Sequence, residues 1–337
     1  MKSNKKITLL VVTYNRTYCV ERLLKYYVAR NFDQNIIVAD ASDSEFIVKN
    51  KLTYQSVKGA ISLTVKFLKG YSVVECLEAI LDEVSTPYVV LNPDDDFLIP
   101  SSLNKMSKFL DDNPSYAGVN GNALLQEEGI CNNRRIIKGV GKYEMRSVYG
   151  KDSLDRADNL LKNYFGVLFS VFRTEDQKSN YRSIPGEGII AAELIPAYRS
   201  VSHGNIAHID LLYLIRSAHE NRINIPKLYE QILDPSWSDN IKFFRDDFNK
   251  FIELNHEIGE QFLKFDNIMA NYFAKSLSVE KKHFSNFYFQ RVTAAFKKSL
   301  KFSELFMIKG YKNPFYSGSK ELKFVVDIVE SNLENKS

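Results

Sequence analysis

The sequence predicts an α/β fold, a mostly parallel sheet flanked by helices, followed by a helical carboxy-terminal appendage. Three observations predict it. Over roughly the first 130 residues, β-branched apolar runs alternate with stretches whose apolar residues recur at helical spacing. The earliest run, ITLLVVT, is apolar at every position but its threonines, as a strand covered on both faces requires. From about Pro235 onward, apolar residues recur between charges in a helical rhythm.

Taken in order, Ile7–Thr13 is the first strand, and RTYCVERLLKYYVARN is a helix with Val20, Leu23, Leu24 and Tyr27 on one face. Asn35–Ala41 is the second strand, and Ser62–Leu68, which alternates, is the third. Residues 72–85 form a helix with Val73, Leu77, Ile80 and Leu81 inward, and Ser72 with Glu75 makes a capping box. Tyr88–Leu91 is the next strand. A helix from about Ser102 is stopped by Asn113 and Pro114, and AGVNGNALLQ is a further strand. Strand–helix alternation of this kind implies a parallel sheet. Later the order loosens: RRIIKGVGKYEMRSVYG reads as loop or short strand, Asp152–Tyr164 as helix and FGVLFSVFR as strand. GEGIIAAELIPAYRSVS then reads as helix and NIAHIDLLYLIR as strand.

With 337 residues, 45% of them hydrophobic and 26% charged, the chain has enough apolar material for a sizeable globular core. A formal net charge of +4 is too mild to point to nucleic acid. The basic start MKSNKK precedes an apolar stretch, Ile7–Val12, that is too short for a signal-peptide core, and no run approaches a membrane span. Cys19, Cys76 and Cys131 are odd in number and form no CxxC, so they read as reduced thiols of a cytoplasmic protein.

In open α/β sheets ligands bind at the carboxyl ends of the strands. Three polar signals stand there: VVTYNR, VADAS and LNPDDDFLIP. An aspartate-capped turn explains one or two of Asp94, Asp95 and Asp96, but not three beside a buried strand. A divalent cation, Mg²⁺ or Mn²⁺, held by these carboxylates and by substrate phosphates would offset their repulsion. Asp40 either caps the segment after Ser42 or binds a nucleobase or ribose. Thr13, Tyr14, Asn15 and Arg16 make either a plain strand-to-helix turn or a nucleotide pocket, with Tyr14 stacking on a base and Arg16 meeting a phosphate.

Together, LLVVTYNRTYCVERLLKYY, IIVADASDS and YVVLNPDDDFLIPSSL resemble the three landmarks of family 2 glycosyltransferases with the GT-A fold, over about the first 130 residues. The resemblance implies a nucleotide-sugar donor, a divalent cation (Mn²⁺ or Mg²⁺) and inversion at the anomeric carbon. It assigns Thr13, Tyr14 and Asn15 to the donor-site turn, Asp40 to the base or ribose, and Asp94, Asp95 and Asp96 to the metal. It also implies a GT-A domain over residues 1–230, its nucleotide half about 1–130 and its acceptor half about 131–230, with a helical region over 231–337. The chain departs from the family pattern in two places. Ala41 follows Asp40 where a second acid is common, and Pro93 stands where the metal motif begins. The metal ligand is then any of the three aspartates, with Asp95 and Asp96 favoured as nearest the phosphates and Asp94 orienting.

Displacing a nucleoside diphosphate requires charge stabilisation on the leaving group and a base for the acceptor hydroxyl. Two carboxylates compete for the role of base, Glu193 and Glu187. Glu193 lies among Ala191, Ala192, Leu194 and Ile195, surroundings that raise a carboxyl pKa; the alternative is a solvent-facing helical glutamate. Arg216 either holds the diphosphate or makes a surface ion pair, and His203 and His208 are either added metal ligands or simply hydrogen-bonded. The segment Lys281–Lys323 holds ten Lys or Arg against two Asp or Glu, with interleaved aromatics. It reads as a solvated helical face, a peripheral membrane contact or a nucleic-acid contact, of which a glycolipid acceptor favours the second. The expected function is transfer of a sugar to a glycan or glycolipid hydroxyl at the inner face of a membrane, in bacterial-type surface polysaccharide synthesis. The alternatives are a nucleotidyltransferase, for which TYNRTY lacks a glycine-rich phosphate loop, and a non-catalytic nucleotide-sugar-binding scaffold.

Overall fold

β1 (Ile7–Thr13), β2 (Asn35–Asp40), β3 (Ser62–Phe67) and β4 (Tyr88–Leu91) pair in parallel in the order β3-β2-β1-β4. The computed structural model describes residues 5–131, 134–185, 188–219, 230, 232–251, 264–278 and 320–331. Register sets Thr13 opposite Asp40 and Asp40 opposite Phe67, so the strand tips end along one edge. Helix α1 (Thr17–Ala29) buries Val20, Leu23, Leu24 and Tyr27, as its spacing predicts. Helix α3 (Val73–Leu81) begins with both bonds of the capping box: the Ser72 N–H donates to Glu75 Oε2 at 2.8 Å and the Glu75 N–H to Ser72 Oγ at 3.3 Å. Its inward residue is Val74 rather than Val73, which is exposed. Between β2 and β3 runs α2 (Ser44–Ser56), which has little amphipathic period to announce it.

Beyond β4 the nine-stranded sheet becomes mixed, continuing β4-β8-β6-β9-β5 with β7 paired to β6. The elements are β5 (Phe97–Leu98), α4 (Pro100–Asp112), β6 (Tyr116–Cys131), β7 (Arg134–Tyr143), α5 (Ser153–Lys162), β8 (Val171–Arg173) and α6 (Thr174–Tyr181). A π-helical turn, Ile190–Leu194, then runs into α7 (Ile195–Ser202) and β9 (Asn205–Ala218). Helix α4 starts at Pro100 rather than near Ser102, since proline suits the first helical position. The stretch read as loop or short strand is β7, a ten-residue strand, because β6 extends far enough to pair with it. The stretch FGVLFSVFR keeps only three strand residues, the rest forming a 3₁₀ turn at Val167–Phe169. Strand β5 and helix α6 are too short to leave a periodic signal.

Of the described residues beyond 230, Trp237–Phe251, 264–278 and Lys320–Ser331 are helical and share one core with the first 230. Helix Trp237–Phe251 sets Phe244 and Phe248 against Tyr198 of α7, each with ring centroids 5.2 Å apart, and Asp247 pairs with Arg199. Helix Lys320–Ser331 buries Val325 and Val329, lays Phe324 6.0 Å from the Tyr26 ring of α1, and pairs Glu321 with Arg30. Among the described residues no helix is long and apolar enough to cross a membrane. Cys19 and Cys76 are buried thiols and Cys131 is an exposed one. Of the basic-aromatic segment, residues 281–319 lie outside the described residues.

Candidate active site

The turn after β1 is tied to the turn after β2. Asn15 has a φ of 54°, in the left-handed region that asparagine tolerates better than most residues. This turns its side chain across to the second strand tip. There Asn15 Nδ2 donates to Asp43 Oδ2 at 2.7 Å, Asn15 Oδ1 accepts from the Asp43 N–H at 2.8 Å, and the Asn15 N–H donates to Ser42 Oγ at 2.9 Å. Tyr14, 52% exposed, holds its ring at the mouth of this turn, its hydroxyl 3.4 Å from Asp43 Oδ2. The geometry gives Tyr14 and Asn15 a shared platform with Asp43, a residue that sequence reasoning did not select.

Asp40 caps the Ser42 turn, one of its two expected roles. Its side chain is wholly buried and accepts from the Ser42 N–H at 3.0 Å, Asn50 Nδ2 at 2.8 Å and the Tyr54 hydroxyl at 2.9 Å. These three internal donors tie the carboxylate to the loop that carries Ser42 and Asp43.

The acidic triplet is buried too, Asp94, Asp95 and Asp96 being 1%, 6% and 0% exposed, which rules out a wet turn. Their repulsion is offset by protein cations. Arg16 pairs with Asp94 and, at 3.1 Å, with Asp95 Oδ2, while Thr13 Oγ1 donates to Asp94 Oδ2 at 2.6 Å. Arg216 Nε lies 2.8 Å from Asp96 Oδ2, and the Ser217 N–H donates to Asp96 Oδ1 at 2.9 Å. His219 Nε2 lies 3.1 Å from Asp95 Oδ2. Below them Asn92 Nδ2 donates to the Pro93 carbonyl at 2.7 Å and the Asp96 carbonyl at 2.9 Å, holding the turn shut. Burial pushes the Asp94 carboxyl up to about 7 against the pull of Arg16. Burial likewise raises Asp96 above the ordinary carboxylate range, against the pull of Arg216.

Among the described residues no three metal-ligating side chains are gathered to hold an ion. Both Asp96 oxygens are engaged, one by Arg216 and one by the Ser217 N–H. Asp94 and Asp95 converge on a single positive group, the Arg16 guanidinium. Two carboxylates suit Mg²⁺ or Mn²⁺, ions that take much of their coordination from phosphates and water.

Strand β9 brings the second half of the chain to this edge, since Phe97 of β5 pairs with Ile215. Arg216 stacks between Phe169 and Tyr143, its Cζ 4.3 Å and 4.8 Å from their ring centroids. Glu193 lies in the π-helical turn, a feature that recurs at functional sites. The Tyr164 hydroxyl donates to its Oε2 at 3.3 Å. Burial raises the Glu193 carboxyl, and the Tyr164 bond and the Arg216 charge oppose that rise, so the same arginine acts on both Glu193 and Asp96. Glu187 lies outside the described residues. His203 Nε2 meets Asn180 Oδ1 at 3.0 Å and His208 Nδ1 meets Asn120 Oδ1 at 2.7 Å, so both are hydrogen-bonded away from the triplet.

Besides Asp43, two more groups escape sequence reasoning. His219 follows directly on β9, three residues after Arg216. Arg22 lies wholly buried on the core face of α1, where Nη2 donates to the Asp95 carbonyl at 3.1 Å and Nη1 pairs with Glu128 at 2.8 Å. The visible signal was an arginine in the apolar stripe of Cys19, Val20 and Leu23. Arg135 shares Glu128 at 3.2 Å and covers the Tyr18 ring at 4.0 Å from its centroid.

No protein-family model and no curated protein matches the sequence. Solved structures do match the fold. The crystal structure of S. aureus TarS 1–349 in complex with UDP-GlcNAc has a TM-score of 0.54 at 13% identity, over 80% of this chain and 73% of that one. TarS 1–349 alone has a TM-score of 0.51 at 13% identity, over 96% and 81%. Its complex with UDP has 0.50 at 13% identity, over 81% and 72%. The chain thus has the α/β fold expected from its sequence, of GT-A type, with a large sheet flanked by helices.

Proposed function

We propose that this chain is a glycosyltransferase that moves a sugar from a nucleoside-diphosphate sugar to an acceptor hydroxyl. The observation that carries this reading is a convergence. The Thr13–Arg16 turn is bonded to the buried Asp94–Asp96 cluster, Arg216 pairs with that cluster, and the charge of Arg216 also acts on Glu193. Tyr14 offers a face to the base, and Asn15 with Asp43 offers polar groups to the nucleoside. Arg16 and Arg216 oppose the charge that grows on the diphosphate as the bond from the anomeric carbon to the phosphate oxygen breaks. Asp94 and Asp95 would hold a divalent cation, which when bound neutralises that leaving group further. Glu193 takes the proton of the acceptor hydroxyl as its oxygen bonds to the anomeric carbon, a role that its raised pKa supports. Attack opposite the leaving group inverts the anomeric centre. The acceptor belongs to bacterial-type surface polysaccharide: capsule, lipopolysaccharide or a related glycan.

The test is a donor panel read by thermal shift with purified protein: UDP-, GDP-, CDP- and TDP-sugars, each with and without Mn²⁺. The TarS complexes with UDP-GlcNAc and UDP put UDP-sugars first. A ligand that binds the native state alone must raise its melting temperature. A donor-dependent shift strengthened by Mn²⁺ is expected, and no shift with any donor sinks the proposal. A non-catalytic scaffold would bind a donor equally well but would have no turnover for Glu193→Gln to remove.

A further inference from the structure

Helix α2 carries its polarity the wrong way round. Its buried side chains are Asn50, Thr53 and Tyr54, two of them drawn inward by their bonds to Asp40. Its apolar residues Val48 and Leu52, one turn apart, are left 64% and 66% exposed. Phe67, at the end of the edge strand β3 and 43% exposed, continues the patch, with Lys51 Nζ 5.1 Å from its ring centroid. Lysines surround these apolar groups. Lys69 Nζ reaches Ser44 Oγ at 3.2 Å, and Lys49 and Lys58 are exposed on and just after the helix. Residues 43–71 hold five lysines against two acids, Asp43 and Glu45, so the surface attracts anions. Among the described residues, only Lys66 of the five makes an ion pair, with Glu83 at 2.6 Å.

We infer that this face of α2 and β3 docks on an anionic lipid surface. An exposed helix with apolar side chains among lysines suits a bilayer interface: the apolar groups enter the headgroup boundary and the ammonium groups meet lipid phosphates. A second copy of the chain fits less well, because a two-fold contact would set the lysines of one copy against those of the other. Docking also has a consequence for orientation. Helix α2 starts one residue after Asp43, which bonds Asn15, so the strand-tip edge is held close to the membrane.

The experiment is cosedimentation of the full chain with phosphatidylcholine vesicles, pure or carrying roughly 30% phosphatidylglycerol. Binding to the anionic vesicles is expected. It should weaken with added salt and fall at least about tenfold in the double variant Val48→Glu, Leu52→Glu. Both positions are exposed, so the variant's melting temperature and its shift with nucleotide sugars should match the parent, which separates this inference from the proposed activity. Equal binding to both vesicle types would overturn the inference, as would binding to neither. Binding retained by the double variant would assign attachment to another surface, such as residues 281–319, and would overturn it too. A concentration-dependent dimer in light scattering, abolished by the same variant, would give the patch to a second copy instead.

Discussion

Replacing Arg16 with methionine removes a charge while keeping the length of the apolar stem. Arg16 is the shared partner of Asp94 and Asp95, and the Asp94 side chain is wholly buried. Breaking a buried ion pair from one side costs about 3–5 kcal/mol when the remaining group stays charged. Here a proton can stand in for the arginine, since burial has already pushed Asp94 up to about 7. A folded-state pKa above the unfolded value of 3.8 means that the folded chain holds the extra proton, so stability falls as pH rises through that window. Without Arg16 the Asp94 pKa climbs further, and the fall continues above pH 7. At about pH 5 Asp94 is neutral in both proteins, and the variant should lose about 1 kcal/mol, the value of the bond to Asp95. Each pH unit above about 7 adds up to about 1.4 kcal/mol, so the gap at about pH 8.5 should be close to 3 kcal/mol. Urea unfolding at the two pH values measures it. Mn²⁺ should also raise the melting temperature of the variant more than that of the parent, because the arginine no longer holds the same oxygens. An equal loss of stability at both pH values would refute the idea that Arg16 compensates a carboxylate poised near neutrality.

Glu193→Gln should lower turnover by about 10²- to 10⁴-fold with little change in donor binding, as expected for loss of a general base. In the parent, activity should fall as pH drops through the raised Glu193 pKa, because a base must be unprotonated, and the acid limb of the pH–rate profile should lie above the ordinary carboxylate range. Asp40→Asn places an amide against donors from Asn50 and Tyr54; it should destabilise the fold by about 1–3 kcal/mol in chemical denaturation and weaken donor binding through the Ser42–Asp43 loop. Tyr14→Ala should leave the melting temperature unchanged, since the ring is half exposed, and should weaken nucleotide binding by about tenfold in calorimetry through loss of stacking.

How much was legible follows from range. The parallel strands, α1 and the capping box at Ser72 are local patterns, and each appears where its periodicity or its pair of residues puts it. The polar tips of β1 and β4 group together in the sequence because parallel strands must end along one edge, and Thr13–Arg16 and Asp94–Asp96 do meet there. Helix α2 was obscure because its buried face is polar, the reverse of what a periodic pattern reports. Strand β7 was obscure because its pairing depends on the length of β6, and Val73 was assigned inward because two adjacent valines leave the helical phase ambiguous.

Residue spacing alone establishes an α/β sheet with acids and polar residues at its strand ends, because backbone hydrogen bonding imposes fixed periods on neighbouring residues. What those acids touch depends on how distant segments pack. Arg216 and His219 reach Asp96 and Asp95 from more than a hundred residues away, along a strand whose register positions them. Asp40 turns inward because Asn50 and Tyr54, on the helix that follows its strand, offer it donors. Whether a buried carboxylate faces a ligand, a metal or the protein depends on which partner desolvation brings against it, and burial is a property of the packed chain.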